Sequence, residues 1–209
     1  MPTLRHLTLT LLLGVLGMLP ISTQANATTW QALQEGGLVI LMRHSLAPGI
    51  GDPPGFEISR CDTQRNLSAQ GRAHAQAAGR EFRARGIPIT AVYSSRWCRA
   101  LDTAELMALG PVTPTPWLDS FFRGRGDQAS ITQTAQEQIA AWQGPGNLLL
   151  VTHQVNITAL VGSGVGSGEM IVVRPTDDSF QVVGRLSVRF CTKSWLASNG
   201  RCTRRIPSL

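Results

Sequence analysis

Apolar residues fall in two kinds of run along this chain, short continuous blocks and stripes at helical spacing, and the two kinds alternate. Leu38-Val39-Ile40-Leu41-Met42 follows Gly36-Gly37 and is apolar at every position, as in a strand buried on both faces. Ile89 to Tyr93 and Leu148-Leu149-Leu150-Val151 are further short blocks of this kind. Between them, Leu67, Gly71, Ala75, Ala78 and Phe82 recur at spacings of three and four, with Ser68 placed to cap the helix and Gly86 and Pro88 to stop it. Trp97, Leu101, Ala104 and Ala108 make a second stripe, closed by Gly110-Pro111. Ile131, Ala135, Ile139 and Trp142 make a third, with Ser130 as the expected cap. A further helix is expected from Val155 to Val161, a loop from Gly162 to Gly168, and β-rich segments at Met170 to Val173 and Gln181 to Val188. Strands separated by helices predict an α/β fold: one three-layer α/β/α sandwich on a mostly parallel sheet.

The N-terminus has a different pattern. Arg5 precedes a stretch, Leu7 to Leu19, that is apolar apart from threonines and glycines; Pro20 ends it, and Ala25-Asn26-Ala27 is a small-residue cleavage site. The reading is a signal peptide over residues 1–27 and one exported domain over 28–209, periplasmic or secreted, with no membrane span after cleavage. Four cysteines beyond residue 27 fit an oxidising compartment. Of the three connectivities open to them, the favoured pairing is Cys61 with Cys98 and Cys191 with Cys202. No C-x-x-C occurs, and no cysteine stands five residues before an arginine, so the spacing argues against zinc, thioredoxin and cysteine-phosphatase chemistry.

Charge narrows the chemistry further. Lys and Arg number 19 against 13 acidic residues, and Lys193 is the one lysine, so no Walker A loop exists. The basic balance suits an anionic partner. The arginines are scattered and there is a single tyrosine, which argues against nucleic acid. G-x-S-x-G and H-E-x-x-H are absent.

In parallel sheets ligands collect beyond the carboxyl ends of the strands. The first strand ends in Arg43-His44, the second runs into Ser94-Ser95-Arg96 with Arg99 just inside the next helix, and the third ends in Thr152-His153. Two histidines and two arginines delivered to one edge make a pocket for a tetrahedral dianion, because guanidinium forks match phosphate oxygens. His74, inside a helix, is read as solvated surface.

Leu41-Met42-Arg43-His44, Asn66-Leu67-Ser68 with Gly71, Ser94 to Ala100 with Thr103-Ala104, and Val151-Thr152-His153 resemble, in that order, the motifs of the histidine phosphatase superfamily, in its phosphoglycerate-mutase-like branch. The resemblance implies phosphoryl transfer through a phosphohistidine without cofactor or metal. His44 would be the nucleophile, Arg43 and Arg99 the phosphate-binding arginines, and His153 the second histidine. Ser45 stands where the family usually has glycine. The family's glutamate proton donor has no clear counterpart; Asp119 is the candidate, with Asp127 behind it, and a solvated loop acid or helix cap is the competing reading of Asp119. Ser45, Asn66 and Gln154 are expected to contact substrate, a small phosphorylated molecule such as a sugar phosphate. Arg60, Arg65, Arg123 and Arg125 are placed to meet a second anionic group, with solvated surface charge as the competing reading. The alternative is an anion-binding module on the same fold without turnover.

Overall fold

The computed structural model describes residues 21–188, with side chains from residue 26 onward. Eleven regular elements occupy them: α1 (Ile21–Glu35), β1 (Val39–Arg43), α2 (Ala69–Ala84), β2 (Ile89–Ser94), α3 (Cys98–Met107), β3 (Val112–Pro114), α4 (Gln128–Ala140), β4 (Asn147–Thr152), α5 (Gln154–Val161), β5 (Met170–Pro175) and β6 (Phe180–Leu186). They form a mixed α/β domain on one six-stranded sheet of order β3-β2-β4-β1-β5-β6. β1, β2, β3 and β4 run parallel, and β5 and β6 close one edge antiparallel.

The continuous apolar blocks are the central strands, and their two faces feed different layers. Ile40 and Met42 of β1, with Leu149 and Val151 of β4, pack with Trp30, Leu33, Phe82, Ala100, Ala104 and Met107 of α1, α2 and α3. The alternate residues Val39, Leu41, Leu148 and Leu150 pack with Leu118, Ile139 and Ile157 on the other side, under α4 and α5. Period-two alternation in strands with no polar face puts a helical layer on each side. At the far end of the sheet, buried Asn147 accepts from Leu38 N (3.1 Å) and donates to Leu33 O (2.7 Å) and Pro88 O (2.9 Å), joining the ends of three segments.

Several expectations need correction. The α4 cap is Asp127, whose Oδ1 accepts from Ala129 N (2.9 Å) and Ser130 N (3.2 Å); Ser130 lies inside the helix. A carboxylate three residues upstream takes the free amides of the first turn, so the helix starts earlier. β3 was not expected: it is three residues long, ends in Pro114, and exists through its parallel pairing with β2. Helix α1 runs through Ala27. Its packed residues Trp30 and Leu33 come later, with Trp30 edge-on to Phe82 at 5.2 Å and under the Arg85 guanidinium at 4.7 Å. Residues 1–20 and the expected Cys191–Cys202 bond lie outside the described residues.

Helices α2 and α3 touch through bare backbone. A Cβ built on Gly79 would stand 1.9 Å from Met107 O. Gly79→Ala is therefore expected to force the two helices apart and cost about 2 kcal/mol, at the middle of the range for overpacking. Thermal unfolding should show a Tm lower by roughly 4–8 °C for a chain of this size.

Candidate active site

Three parallel strands end together because their ladder continues past the last strand residue. Arg43 pairs with Thr152 and Ser94 with Val151. Beyond them, His44 N donates to Thr152 O and Ser95 N to Val151 O, both at 2.9 Å. The residues that follow each strand are thereby held at one edge. There they line a cleft of about 610 Å³ that includes Arg43, His44, Asp52, Arg65, Trp97, Arg99, His153 and Gln154.

His44 is 2 % exposed. Its Nδ1–H donates to Ser45 O at 2.7 Å, which leaves the lone pair on Nε2, and Arg99 Nε–H donates to that nitrogen at 3.3 Å. Burial, then the Arg99 charge, holds this imidazole well below the ordinary histidine pKa, which favours its neutral form. His153 lies 5.4 Å away, ring centre to ring centre, and burial followed by the His44 and arginine charges lowers it in the same way. Its Nε2 is 2.8 Å from Ser95 Oγ, which donates onward to Asp119 Oδ1 at 3.3 Å. A carboxylate therefore stands behind His153 through one hydroxyl, where it orients the ring.

Arg99 is as deeply buried, its side chain 4 % exposed. Thr103 fixes the start of α3 against β1: its Oγ1 accepts from Ser45 N (3.0 Å) and donates to Arg99 O (2.7 Å). The guanidinium is partnered by Asp52, Nη1 to Oδ1 at 2.7 Å and Nη2 to Oδ2 at 3.3 Å. Arg43 donates from Nη1 to Val165 O (2.8 Å), while its buried Nε has no hydrogen-bond partner among the described residues. A buried orphan N–H on a cation at the cleft wall is a donor waiting for an anion.

The other sequence-based site residues divide. Gln154 lines the cleft. Ser45 does not: its hydroxyl is 3.2 Å from His74 Nδ1 on the far side of the turn. His74 is half-buried rather than solvated, with Nε2 3.2 Å from Val188 O, and burial lowers its pKa. Asn66 does not line the cleft; Nδ2 donates to Cys61 O at 2.5 Å. Asp119 is buried, against the reading of a solvated loop acid, but both its oxygens serve the backbone and side chain of Arg96 (2.9, 2.7 and 2.5 Å) and the Ser95 hydroxyl. Its place behind the strand ends suits a positioning role. Asp127 is spent on the α4 cap. Arg60 pairs at the surface with Glu57 and Asp62. Arg65 clamps the loop before α2 by donating to Ala47 O and to Gly51 O (2.9 Å). Arg123 and Arg125 do line the cleft, over Phe122 (5.4 Å) and Phe56 (4.2 Å).

Sequence reasoning missed Asp52. It receives hydrogen bonds from Trp97 Nε1 (3.0 Å) and Arg65 N (3.1 Å) besides those from Arg99. Burial by itself would raise its pKa; the Arg99 charge and these hydrogen bonds overcome that and hold it below the usual carboxylate range. Gly51-Asp52-Pro53 has no spacing signal, and only the folded loop brings it to Arg99. That loop is fastened by the Cys61–Cys98 disulfide, with Cα atoms 5.6 Å apart, and by Gln64 Oε1 accepting from Cys98 N at 3.0 Å.

The sequence profile of the histidine phosphatase superfamily (branch 1) matches residues 39–144, half of the chain. The chain belongs to this superfamily. Solved structures of such phosphatases share its fold at low identity. The protein histidine phosphatase SixA complexed with tungstate has 17% identity and a TM-score of 0.52, with 72% of this chain and 96% of that one covered. Phosphoserine phosphatase from Entamoeba histolytica with 3-phosphoglyceric acid has 14% and 0.51, over 72% and 96%. A mycobacterial glucosyl-3-phosphoglycerate phosphatase has 17% and 0.52, over 69% and 96%. No curated protein matches the sequence.

Two predictions follow from this histidine phosphatase site. His44 and His153 have folded pKa values below the unfolded 6.5, so between those values the unfolded chain binds more protons. Stability is present above pH 6.5 and is lost as pH falls below it. The Tm should drop between pH 7.5 and 5, and inorganic phosphate, which favours protonated His153, should reduce the drop. Removing the Cys61–Cys98 bond by the double alanine variant should lower unfolding free energy by about 3–4 kcal/mol, measured by urea denaturation.

Proposed function

We propose that this protein is an exported phosphomonoesterase that hydrolyses its substrate through a phosphohistidine on His44. The observation that carries the reading is the tautomer of His44: Nδ1–H is committed to Ser45 O, and the Nε2 lone pair points at Arg99. An incoming phosphoryl group takes over the Arg99 N–H groups and meets the freed lone pair. Nε2 attacks phosphorus in line with the leaving oxygen. Arg43, Arg99 and protonated His153 hold the equatorial oxygens, so fixed positive charge carries most of the acceleration, and water then releases phosphate. The step draws its charge from arginines, not from a metal.

The substrate we propose is a small phosphate ester, such as a sugar phosphate, that bears a second negative group. Arg123 and Arg125 support this, since they stand at the mouth of the cleft and have no carboxylate partner among the described residues. Export is supported by the leader-like first 27 residues and by the disulfide. Cleavage after Ala27 would leave Trp30 and Leu33 in the core.

The test is hydrolysis of p-nitrophenyl phosphate between pH 4 and 8 with a chelator present. Turnover is expected in the wild type and none in His44→Ala, with a radiolabelled phosphohistidine trapped by acid-free quenching. Phosphate binding without turnover would replace the enzyme by an anion-binding module. With an active enzyme, Arg123→Ala/Arg125→Ala should lower kcat/KM about 10-fold for a carboxylate-bearing phosphate ester and leave p-nitrophenyl phosphate little changed, an effect of about 1.4 kcal/mol. N-terminal sequencing of the protein from culture fractions checks export; Thr28 is the expected first residue.

A further inference from the structure

Transfer of a phosphoryl group to a neutral imidazole leaves an alkoxide, and an alkoxide needs a proton. The arginines of the cleft cannot give one. His153 has its Nε2 committed to Ser95, and in the occupied site it holds the equatorial oxygens of the transferring group. Asp119 is bound to Arg96 and Ser95 and does not line the cleft. Among the residues that do line it, Asp52 is the one carboxyl group.

Its placement is specific. One guanidinium spans the nucleophile and this carboxylate: Arg99 Nε reaches His44 Nε2 at 3.3 Å, while Nη1 and Nη2 reach Asp52 at 2.7 and 3.3 Å. A phosphoryl group seated on Arg99 therefore lies against both. The Asp52 side chain is 5 % exposed, and Trp97 Nε1 and Arg65 N fix its remaining positions. The tether of the loop, Cys61–Cys98, ends one residue before Arg99, so the loop that carries the acid is bonded to the helix that carries the arginine.

We infer that Asp52 is the proton donor to the leaving oxygen, and afterwards the base for the attacking water. The inference rests on the phosphohistidine reading above. In the free protein Asp52 is a carboxylate paired with Arg99. A phosphate dianion takes Arg99 for itself and sets two negative charges beside the carboxyl, which then takes up a proton from water. In the first step the His44 Nε2–P bond forms and the P–O bond breaks. The Asp52 proton goes to the leaving oxygen, giving the alcohol, phosphohistidine and the Asp52 carboxylate. In the second step water attacks phosphorus, Asp52 takes its proton, and His44 and inorganic phosphate are released.

The experiment compares wild type and Asp52→Asn on two esters, p-nitrophenyl phosphate, whose leaving group needs no proton, and glycerol phosphate, whose leaving group does. With its oxygen at the Oδ2 position asparagine still accepts from Arg99 Nη2 and Trp97 Nε1, and it loses the two contacts made by Oδ1. The expected result is a loss of kcat/KM, which reports phosphoryl transfer to His44 and not the later hydrolysis common to both esters, of about 10²–10³-fold on glycerol phosphate, within the usual contribution of general acid catalysis, and of about three-fold on p-nitrophenyl phosphate. Equal losses on both esters would make Asp52 a positioning residue for Arg99 and overturn the inference. Should the variant not fold, the wild type decides: across a series of esters its kcat/KM should depend weakly on leaving-group pKa, and a steep fall would mean that no acid assists and overturn the inference. A wild type inactive on both esters would overturn the phosphohistidine reading itself.

Discussion

Everything at the candidate site depends on parallel pairing that outlasts the strands. β1, β4 and β2 are hydrogen-bonded in register to their last residues, and the ladder runs one residue further through His44 N to Thr152 O and Ser95 N to Val151 O. Backbone hydrogen bonds between buried strands are hard to break, because each broken pair leaves unsatisfied groups away from water. The first residues after three strands are therefore as rigid as the strands. Catalytic geometry needs that rigidity, and loops alone seldom supply it.

A second constraint is the burial of cations. Arg43 and Arg99 stand around two neutral histidines, and buried charge must be partnered. Asp52 partners Arg99, and the Val165 carbonyl partners Arg43. These contacts hold an anion site together while it is empty. A phosphate that enters replaces a carboxylate of like charge, so the electrostatic change on binding is smaller than for a bare cationic pocket. The same replacement turns Asp52 from a counter-ion into an acid. One ion pair thus links the integrity of the free site to the chemistry of the occupied one.

The loop from Ser45 to Asn66 makes this possible without secondary structure of its own beyond the turn at Cys61–Thr63. Arg65 gathers its carbonyls, Gln64 spans Glu57, Ile58 and Cys98, and the disulfide binds it to α3. Long loops are ordered at an entropic cost. Here a covalent bond and a buried ion pair offset it, at the position where the reaction needs an acid.

By itself the sequence determined the layers and the strand-end residues. Continuous apolar blocks can only be strands covered on both faces, and the positions after them, Arg43-His44, Arg99 and Thr152-His153, converge because parallel strands end at one edge. These signals are local in the chain and needed no tertiary information. What only the folded chain decided were relations between distant residues that share no pattern. Asp52 reached Arg99 across 47 residues of sequence. Asp119 turned toward Arg96 and Ser95 instead of the cleft. His74 packed against Ser45 where helical spacing suggested solvent. Periodicity reports which side of an element is buried, whereas the partner of a buried charge is chosen by loop paths, and those are fixed only when the core, the disulfide and the ion pairs close together.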